Sequence, residues 1–171
     1  LWMPRETAGA LLELEPLADG RSFGTLKLED ALVPKTRIVA SGAAATEALA
    51  RAFDHAAAIA GAELAGVMER ALEMSLEYLK TRVQFGRPIG AFQALQHRAV
   101  DLYIHKELAN AVLDEALGLL DRGPDARTRA ALASRVKARC ADAALRVTRE
   151  TIQLHGAIGF TDDYDAGLYL K

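Results

Sequence analysis

The sequence predicts a mainly α protein, an up-down helical bundle preceded by a few short β-strands. Three observations carry that expectation. From about residue 44 apolar residues recur at steps of three and four through three long runs, the spacing of one helix face. The runs are separated by short turn signals, "FGRPIG" and "RGPD". Residues 1–40 have a different texture, with "LLELEP", "FGTLKL" and "ALVP" set apart by "LADGRS" and by proline. Three long helices joined by short turns lie antiparallel to their chain neighbours, which makes the bundle up-down.

Taken in order, residues 1–40 read as two or three short strands, "TLKL" alternating as a half-buried strand does. So small a sheet is marginal alone and is expected to complete, or be completed by, residues outside the sequence. A first helix from about residue 44 carries the stripe Leu49, Phe53, Ala56, Ala60, Leu64, Val67, Ala71, Met74 and Tyr78. It should end near Val83, with Arg82 in its last turn, because Gly86 takes a left-handed cap and Pro88 cannot continue the ladder. A second helix from Phe92 to Leu120 sets Leu95, Ala99, Leu102, Ala109, Leu113, Ala116 and Leu120 on its inner side. Asp125 is the expected N-cap of a third, through about Leu154, whose inner stripe includes Leu132, Val136, Cys140, Ala143 and Val147. Arg135, Arg139, Arg146 and Arg149 fall on its outer face, as a solvated face or an anion site. A short helical piece, "DAGLYLK", begins near Asp165.

With 171 residues and 51% hydrophobic content the chain can bury a core. A net charge of −2, from 21 basic and 23 acidic residues, argues against a dedicated nucleic-acid binder. No apolar run is long enough to span a bilayer. The single cysteine, Cys140, sits among alanines and reads as a small core residue; with no intrachain disulfide possible, a cytoplasmic location is expected. The chain starts at Leu1 rather than at a methionine, and is expected to be part of something longer.

No metal-ligand set is legible: His55, His97, His105 and His155 do not pair at helical spacing, and no HExxH or CxxC occurs. Two segments carry more polar and aromatic side chains than a connector needs. One is "TRVQFGRPIGAFQ", with Arg82, Phe85, Phe92 and Gln93 around the break. The plain reading is an arginine that complements a helix dipole and aromatic rings that plug the bundle end. The other is "TIQLHGAIGFTDDYD", where Gln153 and His155 precede glycines that admit close backbone approach. In an up-down bundle the third helix ends where the first does, so Arg82, Phe85, Gln93 and Gln153 converge. A guanidinium fork, two amides and aromatic rings on one rim suit a phosphorylated, planar ligand.

"RVQFGRPIGAFQALQHRAVDL" followed about fifty residues later by "QLHGAIGF" resembles the C-terminal helical domain of the acyl-CoA dehydrogenase family. "AFDHAAAIAGAELAGVMERALE" is similar to that domain's first helix, and "FGTLKLEDALVP" to the last strands of the family's middle β-domain. The resemblance implies that residues 1–40 end a β-domain and residues 41–171 form the C-terminal helical bundle domain. It implies FAD as cofactor, with the ADP half held largely across the dimer interface by Arg82, Phe85, Gln93, Gln153, Leu154, His155, Gly156 and Ala157. It further implies an acyl-CoA substrate, dehydrogenated to the enoyl-CoA, with Phe53 and Asp54 lining its channel. An electron-transfer flavoprotein is the expected acceptor, and a homodimer, tetramer or heteromer the expected assembly.

The sequence departs from the family at two places. The usual glycine pair is Gly156-Ala157. The family's glutamate base lies either on the first long helix, where Ala56 stands, or on a loop beyond Lys171. The catalytic residue is therefore unassigned. The alternative reading is a non-catalytic subunit, or a helical assembly module, that completes a partner's flavin site.

Overall fold

The computed structural model describes residues 1–9 and 12–171, which divide into two compact units, Leu1–Ala50 with Lys171 and Arg51–Leu170. The first unit holds a short helix α1 (Arg5–Gly9) and a hairpin of β1 (Leu12–Pro16) and β2 (Ser22–Leu26). Leu12 pairs with Leu26 and Pro16 with Ser22, and within this chain both faces of the hairpin are exposed. Leu11, the first residue of "LLELEP", lies outside the described residues, and "ALVP" forms no strand. A 3-10 turn, Lys35–Arg37, follows, and the Trp2 amide donates to the Arg37 carbonyl at 2.9 Å.

Helix α2 (Gly42–Thr81), begun in the first unit, supplies the second unit with its longest element. A hairpin of β3 (Val83–Gln84) and β4 (Arg87–Pro88) leads through a 3-10 turn, Ile89–Ala91, into α3 (Gln93–Leu120). Helix α4 (Ala126–His155) is capped by Asp125, whose carboxylate accepts from the Thr128 amide and hydroxyl, both at 2.9 Å. These bonds hold the Asp125 carboxyl below the usual carboxylate range. Two further 3-10 turns, Gly156–Phe160 and Asp165–Tyr169, close the unit. Mainly α architecture with short antiparallel strands is thus the fold that the apolar periodicity predicts.

The helix register is readable from paired side chains. Asp54 meets Arg129, Gly61 meets Val136, Ser75 meets Thr151 and Tyr78 meets His155, so α2 and α4 run parallel with a nearly constant offset. Helix α3 runs antiparallel to both: Arg98 pairs with Glu150 and Arg135 with Glu115 across α3 and α4, and Lys106 with Glu69 across α2 and α3. Met68, Leu102, Val136, Cys140 and Val147 fill the core where the three helices meet. Burial pushes the Cys140 thiol up, against a small opposing pull from Arg139. Burial acts on Lys106 to lower its pKa, but its bonds to Glu69 and Glu107 outweigh that and raise it.

The inner stripes expected for α3 and α4 are buried or half-buried throughout. That of α2 is corrected: Ala71 and Met74 are buried, but Leu49 and Phe53 face outward, and the buried row of its first half is Ala58 and Gly61. Small residues win that row because α4 comes too close for larger ones. A Cβ on Gly61 would overlap Val136 Cγ1. The outer arginines of α4 find partners on α3, Arg135 at Glu115 and Arg139 at the His105 carbonyl, while Arg146 and Arg149 are exposed. Among the described residues no helix is long and apolar enough to cross a membrane.

Candidate functional site at one end of the bundle

The end of α2 is built differently from the sequence expectation. The helix stops at Thr81, and Arg82 follows it, donating its amide to the Tyr78 carbonyl at 2.9 Å and accepting from the Ile89 amide at 2.8 Å. Val83 pairs with Pro88 and Gln84 with Arg87, which leaves Phe85 and Gly86 as a two-residue loop with φ of 53° and 78°. Positive φ at both positions is the mark of a tight hairpin whose twist matches its strands. Gly86 therefore serves that hairpin rather than a left-handed helix cap. Phe85, a residue that seldom adopts positive φ, is 90% exposed.

Helix α3 begins directly after. Phe92 is its N-cap residue and supplies no side-chain capping bond, while Gln96 Nε2 reaches back to the Gly90 carbonyl at 2.8 Å. Gly90 is required here, since a Cβ would lie 2.8 Å from the Leu79 carbonyl oxygen. Phe85 and Phe92 meet edge to face with centroids 6.0 Å apart, and the Arg87 guanidinium carbon lies 4.2 Å from the Phe92 centroid.

The end of α4 lies beside the last turns of α2. The Ser75 hydroxyl donates to Thr151 Oγ1 at 3.1 Å, and the Tyr78 and His155 rings are 4.6 Å apart. His155 is 2% exposed and stands between Tyr78 and Tyr164, the latter at 4.7 Å. Its Nδ1 lies 2.7 Å from the Thr151 carbonyl, an acceptor to which it donates, and among the described residues Nε2 is buried without a hydrogen-bond partner. Burial, reinforced by Glu77, raises the Tyr164 phenol above its usual range. Gly156 ends α4 at φ 65° with open space where a Cβ would be. Gly159, in contrast, packs against the Ile152 carbonyl.

The sequence-predicted residues sort by exposure. Arg82, Phe85, Gln93, Gln153, Gly156 and Ala157 are all exposed at this end of the bundle. Leu154 and His155 are buried, because their helical positions beside Gln153 turn their side chains inward. Phe53 and Asp54 lie on α2 well before Tyr78, and Asp54 is taken up by Arg129 at 2.9 Å. Ala56 is exposed and carries no acid. Sequence reasoning missed Arg87, Arg129 and the Tyr78–His155–Tyr164 stack. Only Arg87 left a signal, as an arginine facing Gln84 across a two-residue loop. Among the described residues no group of three or more acidic, histidine or cysteine side chains is placed to hold a metal.

Chemically, the exposed side chains are of types that suit a phosphorylated, planar ligand. A guanidinium supplies charge and a fork of donors, two amides supply donors and acceptors, and an exposed phenyl ring supplies a flat apolar face.

A family model described as "Acyl-CoA dehydrogenase, C-terminal domain" matches residues 45–171. The acyl-CoA dehydrogenase IpdE2 of Mycolicibacterium smegmatis is 42% identical over 118 residues, covering 69% of this chain and 35% of the relative. The acyl-CoA dehydrogenase FadE34 of Mycobacterium tuberculosis is 34% identical over 173 residues, covering 99% of this chain and 23% of the relative. The chain thus spans about a third or less of the length of these relatives. Among solved structures, the ChsE4-ChsE5 complex from Mycobacterium tuberculosis superimposes with a TM-score of 0.77 at 31% identity, over 94% of this chain and 42% of the matched one.

Proposed function

The chain belongs to the acyl-CoA dehydrogenase family, and from that premise we propose that it is the C-terminal part of an FAD-dependent acyl-CoA dehydrogenase, holding the ADP half of FAD across a dimer interface. In this reading residues 1–40 end a β-domain and residues 41–171 are the helical bundle domain. The single observation that supports it best is the joint exposure of Arg82, Phe85, Gln93 and Gln153 at the end of the bundle where α2, α3 and α4 meet. FAD held there would supply the two-electron acceptor that the dehydrogenation needs.

This chain's own residues bind and orient. Arg82 offers charge and paired donors to phosphate, Gln93 and Gln153 offer amides, and Gly156 and Ala157 offer open backbone. Leu154 and His155 act from inside, fixing the end of α4. Phe53 presents an exposed ring to the acyl-CoA chain, and Asp54 holds its neighbourhood through Arg129. Electrons pass on to an electron-transfer flavoprotein, in the cytoplasm. The proton alpha to the thioester is taken by a group other than position 56, which is alanine.

In the full-length protein, Arg82→Ala is expected to lower the flavin retained per subunit, read from the visible absorbance of the purified enzyme. Unchanged occupancy would reject the clamp. A second reading is favoured by Ala56 and by the two-component nature of the ChsE4-ChsE5 complex. It makes this chain a non-catalytic subunit that completes a partner's flavin site. Dehydrogenation by a purified homomer would exclude that second reading.

A further inference from the structure

Arg87 lies outside the residue set of the proposed clamp, yet it packs on a ring within the same turn. Its guanidinium carbon sits 4.2 Å from the Phe92 centroid, and Phe92 stands perpendicular to Phe85, 90° between planes at 6.0 Å. Among the described residues no carboxylate pairs with Arg87, so the ring is its partner within the chain. Strands of two residues each cannot hold a hairpin in place by themselves. The Ile89 amide bond to Arg82 and the Gln96 bond to the Gly90 carbonyl hold the chain beside the hairpin, and Arg87 on β4 against Phe92 at the head of α3 adds a side-chain tie from the hairpin itself. Without it the exposed Phe85 ring, on a backbone of positive φ, is free to leave its edge contact with Phe92.

We infer that Arg87 is a positioning residue: its cation–π contact with Phe92 fixes the hairpin against the start of α3 and holds Phe85 in place for the flavin. The inference rests on the clamp reading above. It makes Arg87 act through Phe92 and Phe85 rather than by touching the cofactor.

The test uses full-length apoenzyme of Arg87→Met, Arg87→Lys, Phe85→Ala, Arg82→Ala and the Arg87→Met/Phe85→Ala pair. Flavin affinity is measured by reconstitution and the unfolding midpoint by circular dichroism. Arg87→Met is expected to raise the flavin Kd about two- to fivefold with the apoenzyme midpoint unchanged. Arg87→Lys, which keeps the cation, should restore most of the affinity. The pair should lose no more than Phe85→Ala alone, since Arg87 works through that ring. A wild-type Kd for Arg87→Met beside lost flavin in Arg82→Ala would overturn the role of Arg87 while leaving the clamp standing. Wild-type affinity in both Arg82→Ala and Arg87→Met would remove the clamp and the role of Arg87 together. A Lys variant as weak as Met, or additive loss in the pair, would mean direct contact by the guanidinium fork and would also overturn the inference.

Discussion

Asp54 and Arg129 form an ion pair with side chains only 18% and 9% exposed, tying the first half of α2 to the first turn of α4. Asp54→Asn takes the carboxylate from a guanidinium that keeps further interactions, and is expected to cost about 1–3 kcal/mol of unfolding free energy, measured by chemical denaturation. A substitution without effect on stability would leave Asp54 free for substrate. His105 makes a second prediction. Burial first, then Arg146 and Arg139, lowers its pKa, with Asp142 and Asp101 opposing. Below about pH 6.5 the unfolded chain takes up a proton that the folded one resists, so stability is full above that pH and falls on acidification. His105→Gln should flatten this part of the curve of unfolding midpoint against pH. At this scale the sequence was legible where a side chain's exposure follows from its neighbours in the chain. Arg82, Phe85, Gln93 and Gln153 stand exposed in their turn and helix ends. Leu154 and His155 were grouped with them through the family resemblance, and their side chains turn inward.

The helices show the same division by distance. Periodicity located α3 and α4 closely and named their buried faces, because each has a single partner-facing side filled by Leu, Val and Ala. On α2 the first half of the expected stripe, Leu49, Phe53, Ala56 and Ala60, is exposed, and the buried row nearest α4 is instead Ala58 and Gly61, where small size matters most. Gly61→Ala is expected to destabilise by about 1–3 kcal/mol, its new methyl forcing Val136 aside, with thermal unfolding as the measurement. The cap of α4 titrates. Asp125 has a lowered pKa in the folded state, so its contribution is present above the unfolded value of about 3.9 and is lost as pH falls. Asp125→Ala should lower the unfolding midpoint near neutrality, and the difference from wild type should shrink as the pH is lowered through the range of the carboxylates. Gly86 shows a limit of local reading. Glycine at positive φ was foreseen, but whether it ends a helix or turns a hairpin depends on Arg87 and Pro88 pairing back to Gln84 and Val83.

At the scale of the whole molecule the bundle core is dense and its largest buried side chains belong to all three long helices. Slowest amide exchange is expected around Met68, Leu102, Val136 and Val147, and fastest in the Leu12–Leu26 hairpin, both of whose faces are open; exchange read by mass spectrometry checks it. The topology was legible because short connections leave few ways to pack three long helices. The contacts that set its register were not, since Asp54 with Arg129 and Ser75 with Thr151 are far apart in sequence. Those two contacts act together as the marks of a vernier. From Asp54 to Ser75 the helices run side by side for roughly 30 Å, and a slip of one residue, about 1.5 Å, would mismatch every pair along that length at once. The height at which the end of α4 meets the end of α2, His155 against Tyr78, is thereby gauged from the far end of the rod, by an aspartate that never comes near it.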